Sequence, residues 1–135
     1  NELLNIAEII CDYIKILYTA EPKTSAEVHW LASALKQHAD RTYWLNPALR
    51  GLSVIYHKNE KYIGRLFKNE MHASFHEYCL LLKLQKAEAL LLKTTDKIID
   101  IALECGFDNI SYFNRTFKKQ YGVSPMEYRV SKREK

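Results

Sequence analysis

A repeat within the chain limits its possible folds more than any other feature. Displaced by 50 residues, Asn59 to Tyr78 lines up with Asn109 to Tyr128, and eight of the twenty positions are identical. The identities are Asn59/Asn109, Tyr62/Tyr112, Arg65/Arg115, Phe67/Phe117, Lys68/Lys118, Ser74/Ser124, Glu77/Glu127 and Tyr78/Tyr128. Chance would supply roughly one, so the segment is a duplicated unit. Each copy reads as a short helix, a tight turn, a second helix carrying Arg-x-Phe-Lys, and the start of a third helix bearing Tyr. That is the layout of a helix-turn-helix motif.

The rest of the chain agrees with an all-α fold: two helix-turn-helix subdomains joined by a long linker helix and preceded by an extra N-terminal helix. Only three Pro and four Gly interrupt it, and apolar residues recur every three or four positions. Leu3, Ile6, Ile9, Ile10, Tyr13, Ile14 and Leu17 stripe a first helix that stops before Pro22. Thr24 or Ser25 caps a second helix bearing Val28, Leu31, Ala32 and Leu35. Asn46-Pro47 reads as a cap with proline in the first helical position, opening a third helix to about Tyr56. Asn59 caps a fourth, Ser74 to Lys93 forms the longest helix of the second half, and Asp96 starts a sixth that ends at Gly106. Asp108 or Asn109 caps a seventh ending at Gly122, and Ser124-Pro125 opens a last one. The expected division is residues 1–22 as a linker or the end of an upstream domain, 23–73 and 94–135 as the two subdomains, and 74–93 as the linker helix.

The net charge of +4 becomes informative once it is located. Residues 1–39 hold three Lys and Arg against five Asp and Glu, and residues 40–135 hold seventeen against eleven, so a −2 leader precedes a +6 segment. On the repeated second helices the periodicity separates two faces. Ile63, Leu66 and Phe67 point inward and leave Glu60, Lys61, Gly64, Arg65 and Lys68 outward. In the second copy Phe113 and Phe117 point inward and leave Ile110, Ser111, Asn114, Arg115 and Lys118 outward. One basic helix face is ordinarily just solvated. The same face twice, in register with the apolar one, points to double-stranded DNA, since a major groove admits such a helix. The linker helix, at about 1.5 Å per residue, spans about 30 Å, near the roughly 34 Å turn of B-DNA, so the two readers are expected to enter successive major grooves.

Other chemistry has little support. An apolar fraction of 47% and a charged fraction of 27% exclude disordered and collagen-like chains. Cys11, Cys79 and Cys105 are odd in number and lack CxxC spacing, which fits reduced thiols in the cytoplasm. The apolar runs are too short for a membrane span, and no signal peptide opens the chain, which begins at Asn1 and is expected to be part of a longer protein. His72, His76 and Cys79 fall at i, i+4 and i+7, but the repeat puts His72 in a turn, so no metal or cofactor is expected and no enzymatic role. The alternative is a helical protein-interaction module whose first helix docks a partner, with only non-specific affinity for nucleic acid.

The stretch Ile98-Ile-Asp-Ile-Ala-Leu-Glu-Cys-Gly-Phe-Asp-Asn-Ile-Ser-Tyr-Phe-Asn-Arg-Thr-Phe-Lys-Lys-Gln-Tyr-Gly-Val-Ser-Pro-Met-Glu-Tyr-Arg129 closely resembles the signature of AraC/XylS-type bacterial transcription regulators. Tyr62-Ile-Gly-Arg-Leu-Phe-Lys68, Ser74-Phe-His-Glu-Tyr78 and Ala87-Glu-Ala-Leu-Leu91 are similar to that family's first reader and linker helix. The likeness covers about residues 47–129. It implies a sequence-specific DNA-binding region, commonly attached to a domain that binds a small-molecule effector or dimerises, and contact with RNA polymerase if the protein activates. It further implies that Lys61 and Arg65, and Ile110, Ser111, Asn114 and Arg115, face base edges. Arg suits guanine, Asn suits adenine, and Ile suits a thymine methyl. Lys68, Lys118, Lys119 and the hydroxyls of Tyr62 and Tyr112 are placed as phosphate partners, which position the protein and carry little sequence information. A homodimer would form through the upstream region or the first helix.

The chain departs from the family pattern at four positions. His72 stands where the turn prefers glycine, which predicts a strained or differently shaped turn. Lys83 replaces the customary Arg of the linker helix, and Ser53 replaces a small apolar Ala in the first tight turn. Gly64 thins the first recognition face, at about 1 kcal/mol of helix propensity relative to Ala. The first reader is therefore expected to contact fewer base edges than the second.

Overall fold

The computed structural model of the 135-residue chain describes residues 5–10 and 24–133, all of them helix, turn or loop. Residues 5–10 are helical and exposed; the rest of the expected first-helix stripe, with Cys11 and the stop before Pro22, lies outside the described residues. Seven α-helices follow: α1 (Ser25–Thr42), α2 (Leu49–Tyr56), α3 (Glu60–Met71), α4 (Phe75–Lys93), α5 (Ile98–Glu104), α6 (Ile110–Tyr121) and α7 (Pro125–Arg133). Thr24 caps α1, its Oγ1 accepting the Glu27 N–H at 3.1 Å.

Two expected starts are corrected. Asn46 does not cap α2, which begins after an extended Ala48 with no side-chain cap bond. Asn46 instead closes a 3₁₀ turn over Tyr43–Leu45 in the left-handed conformation, φ 55° and ψ 55°, donating its N–H to the Tyr43 carbonyl. Asn tolerates that conformation better than most residues, so its side chain is free to serve elsewhere. Asp96 likewise lies before α5, which follows an extended Lys97. Ser53 is not in the turn but inside α2, fully buried, its hydroxyl donating to the Arg50 carbonyl at 2.6 Å.

The chain forms two compact units, one comprising the residues up to Arg41 with Pro47–Glu77, the other Thr42–Asn46 with Tyr78–Lys135. The first unit buries Leu31, Ala32, Leu35 and Ala39 of α1, Leu52 of α2, and Ile63, Leu66 and Phe67 of α3. The Tyr56 hydroxyl donates to the Ala34 carbonyl at 3.4 Å and joins α2 to α1, while Phe67 meets Phe75 edge to face at 5.3 Å.

The second unit has a core of Leu84, Ala87 and Leu91 from α4, Ile101, Ala102, Cys105 and Phe107 around α5, Phe113 and Phe117 from α6, and Tyr128 from α7. Its aromatic rings form a run, Phe107 to Phe113 at 4.9 Å, Phe113 to Phe117 at 5.8 Å and Phe117 to Tyr128 at 5.5 Å. Each such ring contributes about 1.5–3 kcal/mol through burial. The last carbonyls of α4 are satisfied from α7: Arg129 Nε donates to Leu91 O at 3.1 Å, and Arg133 reaches the carbonyls of Leu91 and Thr94. Two cations at a helix C-terminus also complement its dipole.

Candidate nucleic-acid interface

Local chemistry sets the two repeated helices, α3 and α6, in the same way. Asn59 is extended and its Oδ1 accepts the N–H groups of Lys61 and Tyr62 at 2.9 and 3.3 Å, starting α3. Asn109 starts α6 likewise, Oδ1 accepting the Tyr112 N–H at 3.1 Å. At the far ends His72 and Gly122 are both left-handed, φ 60° and 83°, and their N–H groups donate to Lys68 O and Lys118 O at 2.8 and 2.7 Å. The first turn thus keeps the shape of the second although a histidine occupies it. Ser74 and Glu77 then form a capping box, with bonds of 3.1 and 3.0 Å, which Ser124 and Glu127 repeat at 3.2 and 3.1 Å. Four of the eight repeated pairs are therefore explained by folding alone: the two Asn caps, the two buried Phe, and the Ser and Glu of the boxes.

Of the other four pairs, Tyr78/Tyr128 is half-buried and buried, and the Arg and Lys pairs lie on the face away from the core. Arg65 and Lys68 of α3 and Arg115 and Lys118 of α6 are exposed, as are Lys61, Ser111, Asn114 and Lys119. Tyr62, Tyr112 and Ile110 are half-buried, and Ile110 and Tyr112 pack against the core of the second unit, so the expected full exposure of Ile110 is not met. The Arg115 guanidinium lies 6.0 Å from the ring of Tyr112, three positions earlier on the same helix, which restrains an otherwise mobile cation. Beside it a surface groove of about 490 Å³ is lined by Ile98, Ile99, Ile110, Asn114, Arg115, Lys118 and the Ser124–Met126 segment. In the first unit a smaller groove of about 330 Å³ is lined by Val28, Tyr62, Arg65, Leu66, Asn69 and Glu70. Gly64 is half-buried there: a Cβ on it would sit 3.1 Å from Leu49 Cδ1, so the glycine lets α2 approach α3 closely.

The turn before α6 is held by Asn46, which the sequence reading took for a helix cap, and by Lys83. Gly106 is left-handed, φ 96°, and a Cβ there would lie 2.4 Å from the Trp44 carbonyl oxygen. The Asn46 side chain donates Nδ2 to Gly106 O at 3.1 Å and accepts from Lys83 Nζ, which also donates to Gly106 O at 3.4 Å and lies 5.2 Å from the centre of the Phe107 ring. Burial pulls the Lys83 ammonium below the usual lysine range. The only sequence signal for this cluster was the Lys at a position where Arg is customary, since its partners are far apart along the chain.

Among the described residues no three His, Cys, Asp or Glu side chains gather so as to hold a metal ion, and no helix is long and apolar enough to cross a membrane. Cys79 and Cys105 are buried thiols, and burial pushes the Cys105 thiol up to about 11.

Comparison with known proteins follows the same lines. A family model described as a helix-turn-helix domain matches residues 52–131. The transcriptional regulator MtrA of Neisseria gonorrhoeae is 42% identical over 65 residues, 48% of this chain and 22% of its own. The chain spans only 22 to 37% of the length of such curated relatives. Among solved structures, the C-terminal domain of AraT, a response regulator from Geobacillus stearothermophilus, superposes with a TM-score of 0.71 at 29% identity, over 75% of this chain and 84% of that one. The DNA-binding domain of AdpA, solved in complex with a target DNA, has the same fold at 18% identity, with a TM-score of 0.71 over 76% of this chain and 93% of that one. With both halves of the signature, the duplicated reader and the matching family model in place, the chain belongs to the AraC/XylS-type family of helix-turn-helix DNA-binding domains.

Proposed function

We propose that this domain is the DNA-reading part of a transcription regulator and that it recognises one specific duplex site, its two recognition helices entering successive major grooves. The observation that carries the reading is the recurrence of exposed Arg65 and Lys68 as Arg115 and Lys118, on the face of each recognition helix opposite the buried Phe67 and Phe117. Lys61 and Arg65 of α3, and Ile110, Ser111, Asn114 and Arg115 of α6, read base edges. Half-burial of Ile110 suits an apolar contact with a thymine methyl and no hydrogen bond. Lys68, Lys118 and Lys119, with the hydroxyls of Tyr62 and Tyr112, hold phosphates. The second reader carries four of the six base-reading residues, and Gly64, held close to Leu49 of α2, adds no side chain to the first. The regulator acts in the cytoplasm, a further domain binds its small-molecule effector or dimerises it, and an activator of this kind also touches RNA polymerase.

Selection of bound sites from a random duplex library tests the reading directly: two half-sites about one turn apart are expected. On the selected duplex, log K against log salt should fall with a slope of roughly −4 to −7, from about five to eight phosphate contacts. A flat titration refutes it and leaves a protein-interaction module.

A further inference from the structure

We infer that the connector Thr42–Asn46, which joins α1 to α2 in sequence, is a working part of the second reader, with Asn46 and Lys83 as positioning residues that fix the turn from which α6 starts. The inference rests on the reading of α6 as a base-reading helix. Three observations carry it. The connector belongs to the compact unit that contains α6 and not to the one that contains α1 and α2. Its backbone comes so close to Gly106 that only a glycine fits, the Trp44 oxygen lying 2.4 Å from where a Cβ would be. Its last residue, Asn46, spends both ends of its amide in the second unit, donating to Gly106 O and accepting from Lys83 Nζ.

What is held matters as much as the holding. Gly106 is followed by Phe107, which is buried, stacks on Phe113 of α6 and lies beneath the Lys83 ammonium. Two residues later Asn109 caps α6, and Ile110 is its first residue. A change in the Gly106 carbonyl therefore reaches the start of the recognition helix within one short turn. Base readout needs side chains placed to about 0.5 Å, so a small tilt of α6 weakens it without unfolding the unit. The match to the helix-turn-helix family model begins at residue 52, so Asn46 lies outside the segment that the model describes.

The test uses the 135-residue chain, the duplex selected above, and duplexes substituted base by base in either half-site. Arg115→Ala and Arg65→Ala first map which base pairs α6 and α3 read. Asn46→Gly keeps the left-handed backbone and removes the amide; Lys83→Met keeps the stem and removes the ammonium; Lys83→Arg keeps donors for both acceptors. Asn46→Gly and Lys83→Met should each weaken binding to the selected duplex by about fivefold, the worth of one hydrogen bond. Substitution penalties should shrink at base pairs read by α6 and stay unchanged at those read by α3, and Lys83→Arg should behave as wild type. Equal loss at both half-sites, or no loss at either, overturns the inference. If Arg115→Ala relaxes no base pair, the reading of α6 fails and the inference fails with it; if Arg115→Ala relaxes one and Asn46→Gly and Lys83→Met relax none, the inference alone is wrong.

Discussion

Replacing Gly106 by alanine separates two costs that left-handed glycines usually combine. At φ 96° an L-residue is strained by about 1–2 kcal/mol, offset in part by the smaller entropy that alanine loses from the unfolded chain, which leaves about 1 kcal/mol. The new Cβ would also lie 2.4 Å from the Trp44 oxygen and 2.9 Å from its Cα, both backbone atoms that no rotamer change can move aside. The connector must back away, which breaks the Asn46 and Lys83 bonds to Gly106 O, each contributing about 1 kcal/mol. The total is about 3 kcal/mol. Gly122 supplies the control, with φ 83° and nothing within 4 Å of its Cβ position, so Gly122→Ala should cost only the conformational part, about 1 kcal/mol. Urea unfolding followed by Trp fluorescence and by circular dichroism gives both values, and agreement of the two probes checks that one transition is being measured. Equal losses for the two alanine variants would refute the argument from the Trp44 approach.

Three other outcomes are expected. His72→Gly should stabilise the first unit by about 0.5–1 kcal/mol in the same urea assay, because histidine at φ 60° is strained where the twin position holds glycine. Alkali should unfold the second unit in stages: burial raises the Cys105 thiol from 9.0 to about 11, and the hydrogen bond to Glu88, then burial, raises the Tyr128 hydroxyl from 10.0 to about 12. Both groups keep in the fold a proton that the unfolded chain releases earlier, so their contribution is complete below pH 9 and is lost as the pH rises through about 11 for Cys105 and about 12 for Tyr128. Melting curves in which Cys105→Ala leaves the decline between pH 9 and 10 unchanged would contradict this. On a selected duplex, Arg115→Ala should cost about 1–3 kcal/mol and relax one base pair, whereas Lys118→Ala should weaken all sequences alike and reduce the salt slope by about 1, both read by competition binding.

Much of this molecule is legible in its sequence because much of it is set over three or four residues. The Asn59 and Asn109 caps, the two Ser/Glu boxes and the left-handed helix ends are all local bonds, and the residues that make them stand beside what they bond. Asn46 shows where that advantage stops. Asn-Pro is sound chemistry for a helix cap, yet the asparagine is bonded to Gly106, 60 positions away, and its backbone follows that partner. Lys83 was visible as an unusual residue but not as a clasp, since nothing in a helical periodicity records an acceptor on another element. Ser53 was placed in the turn because spacing alone does not separate the last turns of a short helix from the turn that follows. The recognition faces were legible through duplication; the partial burial of Ile110 was not, because it depends on how closely neighbouring helices pack around it.

The paired caps and boxes have a consequence for how such a domain changes its preferences. The asparagine that starts each of the two helices and the phenylalanine that anchors it, Phe67 or Phe117, are kept in both copies, while Lys61/Ser111, Gly64/Asn114 and Glu60/Ile110 differ between them. The Asn cap, the buried Phe and the exposed Arg and Lys therefore occupy separate positions of each cap and its twelve-residue helix. A gene that duplicates such a unit can revise one text letter by letter while the other still holds its place on the duplex, and neither revision touches the grammar that makes the helices form.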